Sequence, residues 1–292
     1  MKVEVVILNA FTRDGSGGNP AGVVLNADWL SAQQMQAIAQ QVGLSETAFV
    51  MSSALADYAV RFFTPTAEID FCGHATVAVY CLMQQRQLLK KKQLSQVTNA
   101  GILTVTIDAQ NAVLMQLALP TFGARFGAAQ IAAMLNIEPK LIDATQLPLE
   151  VVATGLADLM IPIVAGGLDQ VVADHHAIAQ FCRAHDLVGF HLFELPDQPN
   201  QFSAHCRNFA PLFGINEESA TGSSSGALAC YLHRHLPNAP TSFVFEQGRL
   251  MAQSSRLSAA IDHQGGKITN VSVGGTATIS HTMSLAVREL LT

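Results

Sequence analysis

Apolar and polar positions change period several times along this chain, and each change marks an expected element. Residues 3–8 and 21–25 form short apolar runs separated by the Gly/Asn/Pro-rich stretch Asp14 to Pro20, so they predict two strands joined by turns. From Ser31 to Val42 the apolar residues recur near helical spacing. A capping-type serine starts this stretch and Gly43 follows it, which predicts a helix. Residues 48–51 and 58–63 then read as strands. Residues 76–89 read as an apolar helix with Gly73 and His74 at its entrance, and residues 113–119 as a further strand.

The texture changes at Pro120 and in the Gly/Ala-rich residues up to Ala129, which places a boundary between two lobes near residue 120. Beyond it the outline repeats. Arg61, Phe62, Phe63, Thr64 and Pro65 precede Gly73 and an apolar helix; Arg207, Asn208, Phe209, Ala210 and Pro211 precede Gly222 and another, Ser224 to His235. Two equivalent lobes, each a curved sheet around a central helix, account for the repeat. A length of 292 residues with 49% hydrophobic content suits two domains of ordinary size.

Charge narrows the function classes. Only 13% of residues are charged and the formal net charge is -6, so there is no general attraction to nucleic acid or anionic lipid. A site for an acidic substrate must therefore be built locally. No run approaches about 18 apolar residues, the length that spans a membrane. The amino terminus lacks the basic start and small-residue cleavage site of a signal peptide. The five cysteines, Cys72, Cys81, Cys182, Cys206 and Cys230, are odd in number and form no zinc-ribbon pairs. The cytoplasm is the expected compartment, without a structural metal.

Two turns that open apolar helices are the candidate chemistry: Cys72, Gly73, His74, Ala75, Thr76 and Thr221, Gly222, Ser223, Ser224, Ser225. First-turn amides lack intrahelical partners and glycine lets a ligand approach them, so each turn is either a carboxylate or oxyanion cradle or an ordinary helix start capped by Thr76 or the serines. Glu46 lies between a helix end and an apolar strand. It is either a surface turn residue or a buried acid whose pKa burial would raise into the range useful for proton transfer. His74 is either structural or a donor to a substrate oxygen. Cys72 suggests a thiol racemase, but Thr221 stands where the opposed thiol would be, so a small buried hydrophobe is the better reading. Asp174, His175 and His176 read as a solvated helix start, lacking a third metal ligand. Glu217 and Glu218, by contrast, lead two acids into an anion cradle, an oddity that points to function.

Taken in order, these segments resemble the PhzF-like (phenazine biosynthesis-like) family. The resemblance lies in Asn9 to Thr12 and Gly18 to Val24, in Leu44 to Val50, and in Arg61 to Pro65 running on through Glu68 to Thr76. It continues in Glu218 to Ser223, Phe245 to Gly248, and Val273 to Gly275, so it spans nearly the whole chain.

The resemblance implies an α+β fold shared with diaminopimelate epimerase: two pseudo-symmetric lobes, each a mostly antiparallel curved sheet wrapped around a central helix, with the active site in the cleft between them. Residues 1–120 would form the first lobe, rejoined by a carboxy-terminal segment of about 279–292, and residues 121–278 the second. It implies a cofactor-independent isomerase in which Glu46 moves a proton on a small carboxylate substrate, assisted by His74, Glu218 and Ser223. The amides at Gly73 and Gly222 would hold the carboxylate or oxyanion, and no metal or cofactor takes part. In the resembling phenazine enzyme the substrate is dihydro-hydroxyanthranilate. Here Glu218 followed by Ser219 replaces the family's Asp-Pro, and one extra methylene moves the carboxylate by about 1.5 Å. Residues 252–255 also depart from the family's Gly-Arg-Pro-Ser, so substrate identity does not transfer. The alternatives are a two-base racemase using Cys72 and an inactive carboxylate-binding or interaction protein on the same fold. A homodimer is expected only because such assemblies are common.

Overall fold

A computed structural model describes residues 2–198 and 200–286. Its strands and helices, in chain order, are β1 (Lys2–Ala10), β2 (Asn19–Val24), α1 (Ala32–Val42), β3 (Thr47–Met51), β4 (Tyr58–Phe63), β5 (Glu68–Ile69), α2 (Gly73–Gln85), β6 (Gln93–Thr98), β7 (Gly101–Ile107) and β8 (Val113–Gln116). There follow β9 (Thr121–Phe126), α3 (Ala128–Leu135), α4 (Lys140–Asp143), β10 (Leu149–Ala153), β11 (Ala157–Ile163), α5 (His175–Ala184), β12 (Gly189–Glu194) and β13 (Ala204–Ala210). The rest are β14 (Ile215–Glu218), α6 (Gly222–His235), β15 (Ser242–Gln247), β16 (Ser255–Gln264), β17 (Lys267–Gly275) and β18 (Ala277–Ala286). One compact unit runs to Gln116 and resumes at Gly274; the other is Leu117–Val273. The end of the expected carboxy-terminal segment, residues 287–292, lies outside the described residues.

The first unit is a sheet around one helix. Strands β1 and β2 pair antiparallel, β2 and β3 parallel, β3 and β4 antiparallel, β4 and β5 antiparallel, β4 and β6 parallel, and β6 and β7 antiparallel, with β18 returning antiparallel to β1. Each parallel pair needs a crossover, supplied by α1 and α2 respectively. Helix α2 packs against β18, β1, β2 and β3 at one end of the strand order and against β8 at the other, so the sheet curls around it. That environment explains why every residue from His74 to Met83 is buried and why the helix has no polar face. Helix α1 covers the other face through Met35, Ile38 and Ala39, which pack with Val5, Val24, Phe49 and Phe63. Its ends follow the sequence closely: Ser31 and Gln34 form a capping box, and Gly43 takes the left-handed conformation at φ 69°.

The second unit repeats the first pairing for pairing. Strands β10 and β11 pair antiparallel, β11 and β12 parallel across α5, β12 and β13 antiparallel, β13 and β14 antiparallel, β13 and β15 parallel across α6, and β15 and β16 antiparallel, with β9 antiparallel to β10. Helix α6 packs against β10, β11, β15 and β16 and is buried from Ser224 to Leu232. The repeat extends to side chains. Arg61 forks onto Glu68 at 2.7 and 2.6 Å and lies 5.1 Å over the Phe63 ring; Arg207 forks onto Glu217 at 2.8 Å through both nitrogens and lies 4.9 Å over Phe209. The short Arg-x-Phe similarity in the sequence thus marks one supersecondary unit used twice. The strand β9 occupies the Gly/Ala-rich stretch that reads in the sequence only as a change of texture.

Candidate active site

In the first unit the chain leaves α1 at Gly43 and enters β3 at Thr47, and Glu46 is the last residue before the strand. Its carbonyl accepts the Gly22 amide at 3.1 Å, which fixes the backbone and turns the side chain toward the start of α2. There, Oε2 of Glu46 lies 3.1 Å from Nε2 of His74; the side chains are 18% and 9% exposed. The other ring nitrogen, Nδ1, is 3.4 Å from the Cys72 sulfur and 3.5 Å from the Asn19 amide. Glu46, His74 and Cys72 are therefore brought together, while Gly73 bares the backbone between the last two. A Cβ on Gly73 would meet only the Met115 Cε, at 3.5 Å, so packing does not require glycine here.

The charge state follows from these contacts. Burial pushes the Glu46 carboxyl up, but the His74 contact and hydrogen bonds from Ser45 and Cys72 outweigh it, and the net direction is below the ordinary carboxylate value. This corrects the expectation that burial would raise it, because the imidazole partner was not legible in the sequence. Burial pushes His74 down, yet Cys72 and then Glu46 reverse this and hold it well above the ordinary histidine value. For Cys72, burial dominates and pushes the thiol up despite His74. Both directions favour the charged forms of Glu46 and His74, and the Cys72 sulfur is in contact with the pair.

The second unit presents the equivalent turn. Glu218 ends β14, Thr221 is the cap residue and Gly222 opens α6. The Thr221 hydroxyl donates to Glu218 Oε2 at 3.0 Å, which ties the longer carboxylate to the turn. Gln247, at the end of β15, braces it: its Nε2 donates to the Glu218 carbonyl at 2.7 Å and to the Thr221 hydroxyl at 3.0 Å, while its Oε1 accepts the Thr221 amide at 3.2 Å. Glu217 is neutralised by Arg207, so the two acids at this turn have separate tasks. The Ser223 hydroxyl is half-exposed and makes no hydrogen bond among the described residues, and its carbonyl accepts Thr154 Oγ1 at 3.1 Å.

Neither turn is an ordinarily capped helix start. The cap residues Cys72 and Thr221 make no side-chain capping bond; Thr76 donates instead to the Cys72 carbonyl at 2.8 Å, and Ser224 donates to Asp158 at 2.6 Å. The cap side chains thus leave first-turn amides of both helices open, although the Ala75 amide contacts the Cys72 sulfur, and open amides of this kind suit an anion. By contrast Asp174 does cap α5, accepting the Ala177 amide at 3.0 Å, in line with a solvated helix start.

Asp158 is the residue that sequence reading missed. It is 2% exposed on β11, and burial, opposed by Ser224, raises it to about 6. By strand register it occupies the place of Ala21, and its lateral neighbour Gly189 occupies that of Glu46. Each unit thus puts one buried carboxyl against the first turn of its central helix, from adjacent strands. No periodicity could reveal this, since Asp158 interrupts an apolar strand at a single position.

The sequence matches the phenazine biosynthesis-like protein family model over residues 8–283. The uncharacterized isomerase YddE of Escherichia coli (strain K12) is 32% identical over 291 residues, covering 96% of this chain and 97% of that one. The trans-2,3-dihydro-3-hydroxyanthranilate isomerase of Pseudomonas aeruginosa is 28% identical over 289 residues, covering 92% and 94%. Among solved structures, the PhzF-family phenazine biosynthesis protein of Bacillus anthracis superposes with a TM-score of 0.89 at 27% identity, covering 98% and 100%. Fold and relatives together define the isomerase and epimerase class. The chain belongs to the phenazine biosynthesis-like (PhzF) family.

Proposed function

We propose that this PhzF-family isomerase shifts a proton on a small carboxylate without a cofactor, with Glu46 as general acid and base. The observation that carries the reading is the 3.1 Å contact between Glu46 and His74 at the uncapped start of α2. The Glu46 carboxylate takes a proton from a carbon activated by the substrate's own carboxylate or enamine. The electron pair moves onto the activated system, and the amide at Gly73 holds the oxygen that gains charge; the Gly222 amide offers the same cradle in the second unit. Glu46 then returns the proton to another carbon, so atoms and electrons balance and the enzyme is restored. An oriented donor in such a place contributes about 2.7 to 4 kcal/mol to the transition state. His74 keeps the carboxylate ionised between turnovers, and at the equivalent turn of the second unit Ser223 offers a donor and Glu218, tethered by Thr221, an acceptor for an amine or hydroxyl.

A two-base racemization through Cys72 is the weaker reading. The thiol is buried and pushed up in pKa, and its counterpart is Thr221, too weak an acid to serve. The test is proton NMR in deuterated buffer on a panel of small carboxylates that includes trans-2,3-dihydro-3-hydroxyanthranilate. Wild type is expected to incorporate deuterium or isomerise at least one compound, and Glu46→Gln to lose about 10² to 10⁴ of that rate. Equal rates for the two proteins would sink the reading.

A further inference from the structure

Three segments of the second unit line a cavity of about 480 Å³: the entry to β9, the last turn of α6, and the turn between β16 and β17. That volume lies within the range of small-molecule pockets, about 300 to 1,000 Å³. Leu119, Pro120, Phe122 and Ile268 supply an apolar wall. The charged residues of the lining are Arg234 and Lys267, and none of the lining residues is acidic. Each cation is placed by its own element. The Arg234 guanidinium lies 4.1 Å from the centre of the Phe122 ring, which supports one face of the group and leaves its N–H fork open. Gly265 and Gly266, at φ 58° and 80°, make a tight turn that sets Lys267 at the first position of β17. Neither cation has an ion pair or a side-chain hydrogen bond among the described residues, in a chain whose formal net charge is -6. The nearest acid along β16, Asp262, accepts Asn270 Nδ2 at 3.1 Å.

Part of this charge has a simpler cause. His233, Arg234 and His235 end α6, where the helix dipole favours cations. That accounts for Arg234 but not for Lys267, which arrives from another element and adds its charge to the same apolar wall. Burial, and then His263, hold His233 below the ordinary histidine value, so at neutral pH its ring adds surface to the cavity and no fixed charge. We infer that this cavity binds a small planar anion, an aromatic ring bearing a carboxylate, with the carboxylate on Arg234 and Lys267 and the ring against Leu119, Pro120 and Ile268. The guanidinium fork meets a carboxylate through two parallel N–H donors, and the ammonium adds a point charge. A rigid ring loses little freedom on binding, so the apolar contact is not offset by ordering. The site is separate from the turn that opens α6: from Gly222 to Arg234 the helix rises by about 18 Å, at about 1.5 Å per residue. It therefore does not rest on the proposed function.

The test is titration of the full-length protein with naphthoate, followed by calorimetry and by amide NMR, with uncharged naphthamide as the control. Naphthoate is expected to bind saturably, to shift the Gly266 and Ile268 amides, and to weaken as ionic strength rises. Naphthamide should bind at least about 10-fold more weakly, the cost of losing a charge-assisted hydrogen bond. Arg234→Gln should weaken naphthoate by a similar factor, and Lys267→Gln by about 2- to 5-fold, as suits an exposed point charge. Both side chains are exposed, and circular dichroism with thermal melting checks that the variants fold. Absence of saturable binding, equal affinity for naphthamide, full affinity in Arg234→Gln, or shifts confined to the Gly73 and Gly222 turns would each overturn the assignment. Failure here leaves the proton shift untouched, since Arg234 and Lys267 have no part in it; equal exchange rates for wild type and Glu46→Gln would sink that reading and leave this site standing.

Discussion

Nε2 of His74 sits 3.1 Å from Oε2 of Glu46 across the joint between two elements, one side chain from the entry to β3 and the other from the second residue of α2. The two residues are 28 positions apart in the sequence, and the antiparallel pairing of β3 with β4, which sets Thr47 opposite Phe63, brings the start of β3 back beside the segment that leads into α2. Their coupling sets the charge of both, which is why neither could be read correctly alone.

The pair predicts a specific pH dependence. The folded pKa of Glu46 lies below its ordinary value, so its contribution to stability is present above about pH 4.3 and is lost as pH falls through the folded value. The folded pKa of His74 is raised, so its contribution is complete below about pH 6.5 and is lost as pH rises through the folded value. The pair therefore stabilises the protein across the interval between those two losses. NMR titration of the His74 ring should show a midpoint well above that of a free histidine, falling in Glu46→Gln. An ordinary midpoint in the wild type would contradict the coupling.

Much of this frame was legible in the sequence, and the limits are physical. Helix α1 was readable because its start and stop are local chemistry, Ser31 with Gln34 and Gly43. The two glycine turns were readable because they interrupt apolar helices, and the Arg-x-Phe repeat because it recurs ahead of both. What was not legible depends on partners distant in sequence. Thr76 and Ser224 looked like caps, yet each hydroxyl bonds elsewhere, to the Cys72 carbonyl and to Asp158. The Cys72 side chain reads as a small buried hydrophobe, and it is indeed buried, but its contact with His74 makes it part of the site.

Asp158 predicts a pH effect of opposite sign to that of Glu46. Its folded pKa of about 6 exceeds the ordinary aspartate value, so the folded protein binds the extra proton between the two. The associated stability is present below about pH 3.9 and is lost as pH rises through about 6, an effect on the order of 3 kcal/mol if the pKa difference is expressed in full. Asp158→Asn keeps an acceptor for Ser224 and removes the titration. The wild type should lose stability relative to this variant between about pH 4 and pH 7, as read from chemical denaturation at each pH. Parallel stability profiles would show that Asp158 ionises normally.

Gly248 predicts a linked loss of stability and site geometry. It has φ +88°, and an added Cβ would lie 2.6 Å from the Gln253 carbonyl oxygen and 2.9 Å from that of Ser219. Left-handed backbone alone costs a residue with a Cβ about 1 to 2 kcal/mol. Gly248→Ala is therefore expected to destabilise the protein by more than that and to displace Gln247, the brace of the Thr221 turn. Denaturant midpoints provide the check. An unchanged midpoint would mean the loop relaxes without strain.

Gly73 predicts the reverse separation, function lost with stability kept. Its backbone lies outside the left-handed region and an added methyl meets only Met115 Cε at 3.5 Å, so the fold tolerates alanine. Helix propensity even favours it, by up to about 1 kcal/mol. The same methyl would stand over the first-turn amides of α2, where the oxyanion is held in the proposed reaction. Gly73→Ala should melt at or above the wild-type temperature while turnover falls by about 10² to 10³, the usual cost of losing one oriented donor. Ser223→Ala offers the parallel case in the second unit, since its half-exposed hydroxyl contributes no hydrogen bond to the fold. If Gly73→Ala turned over like the wild type, the uncapped start of α2 would be an open helix end with no ligand to hold, and the proton shift would have to be stabilised elsewhere.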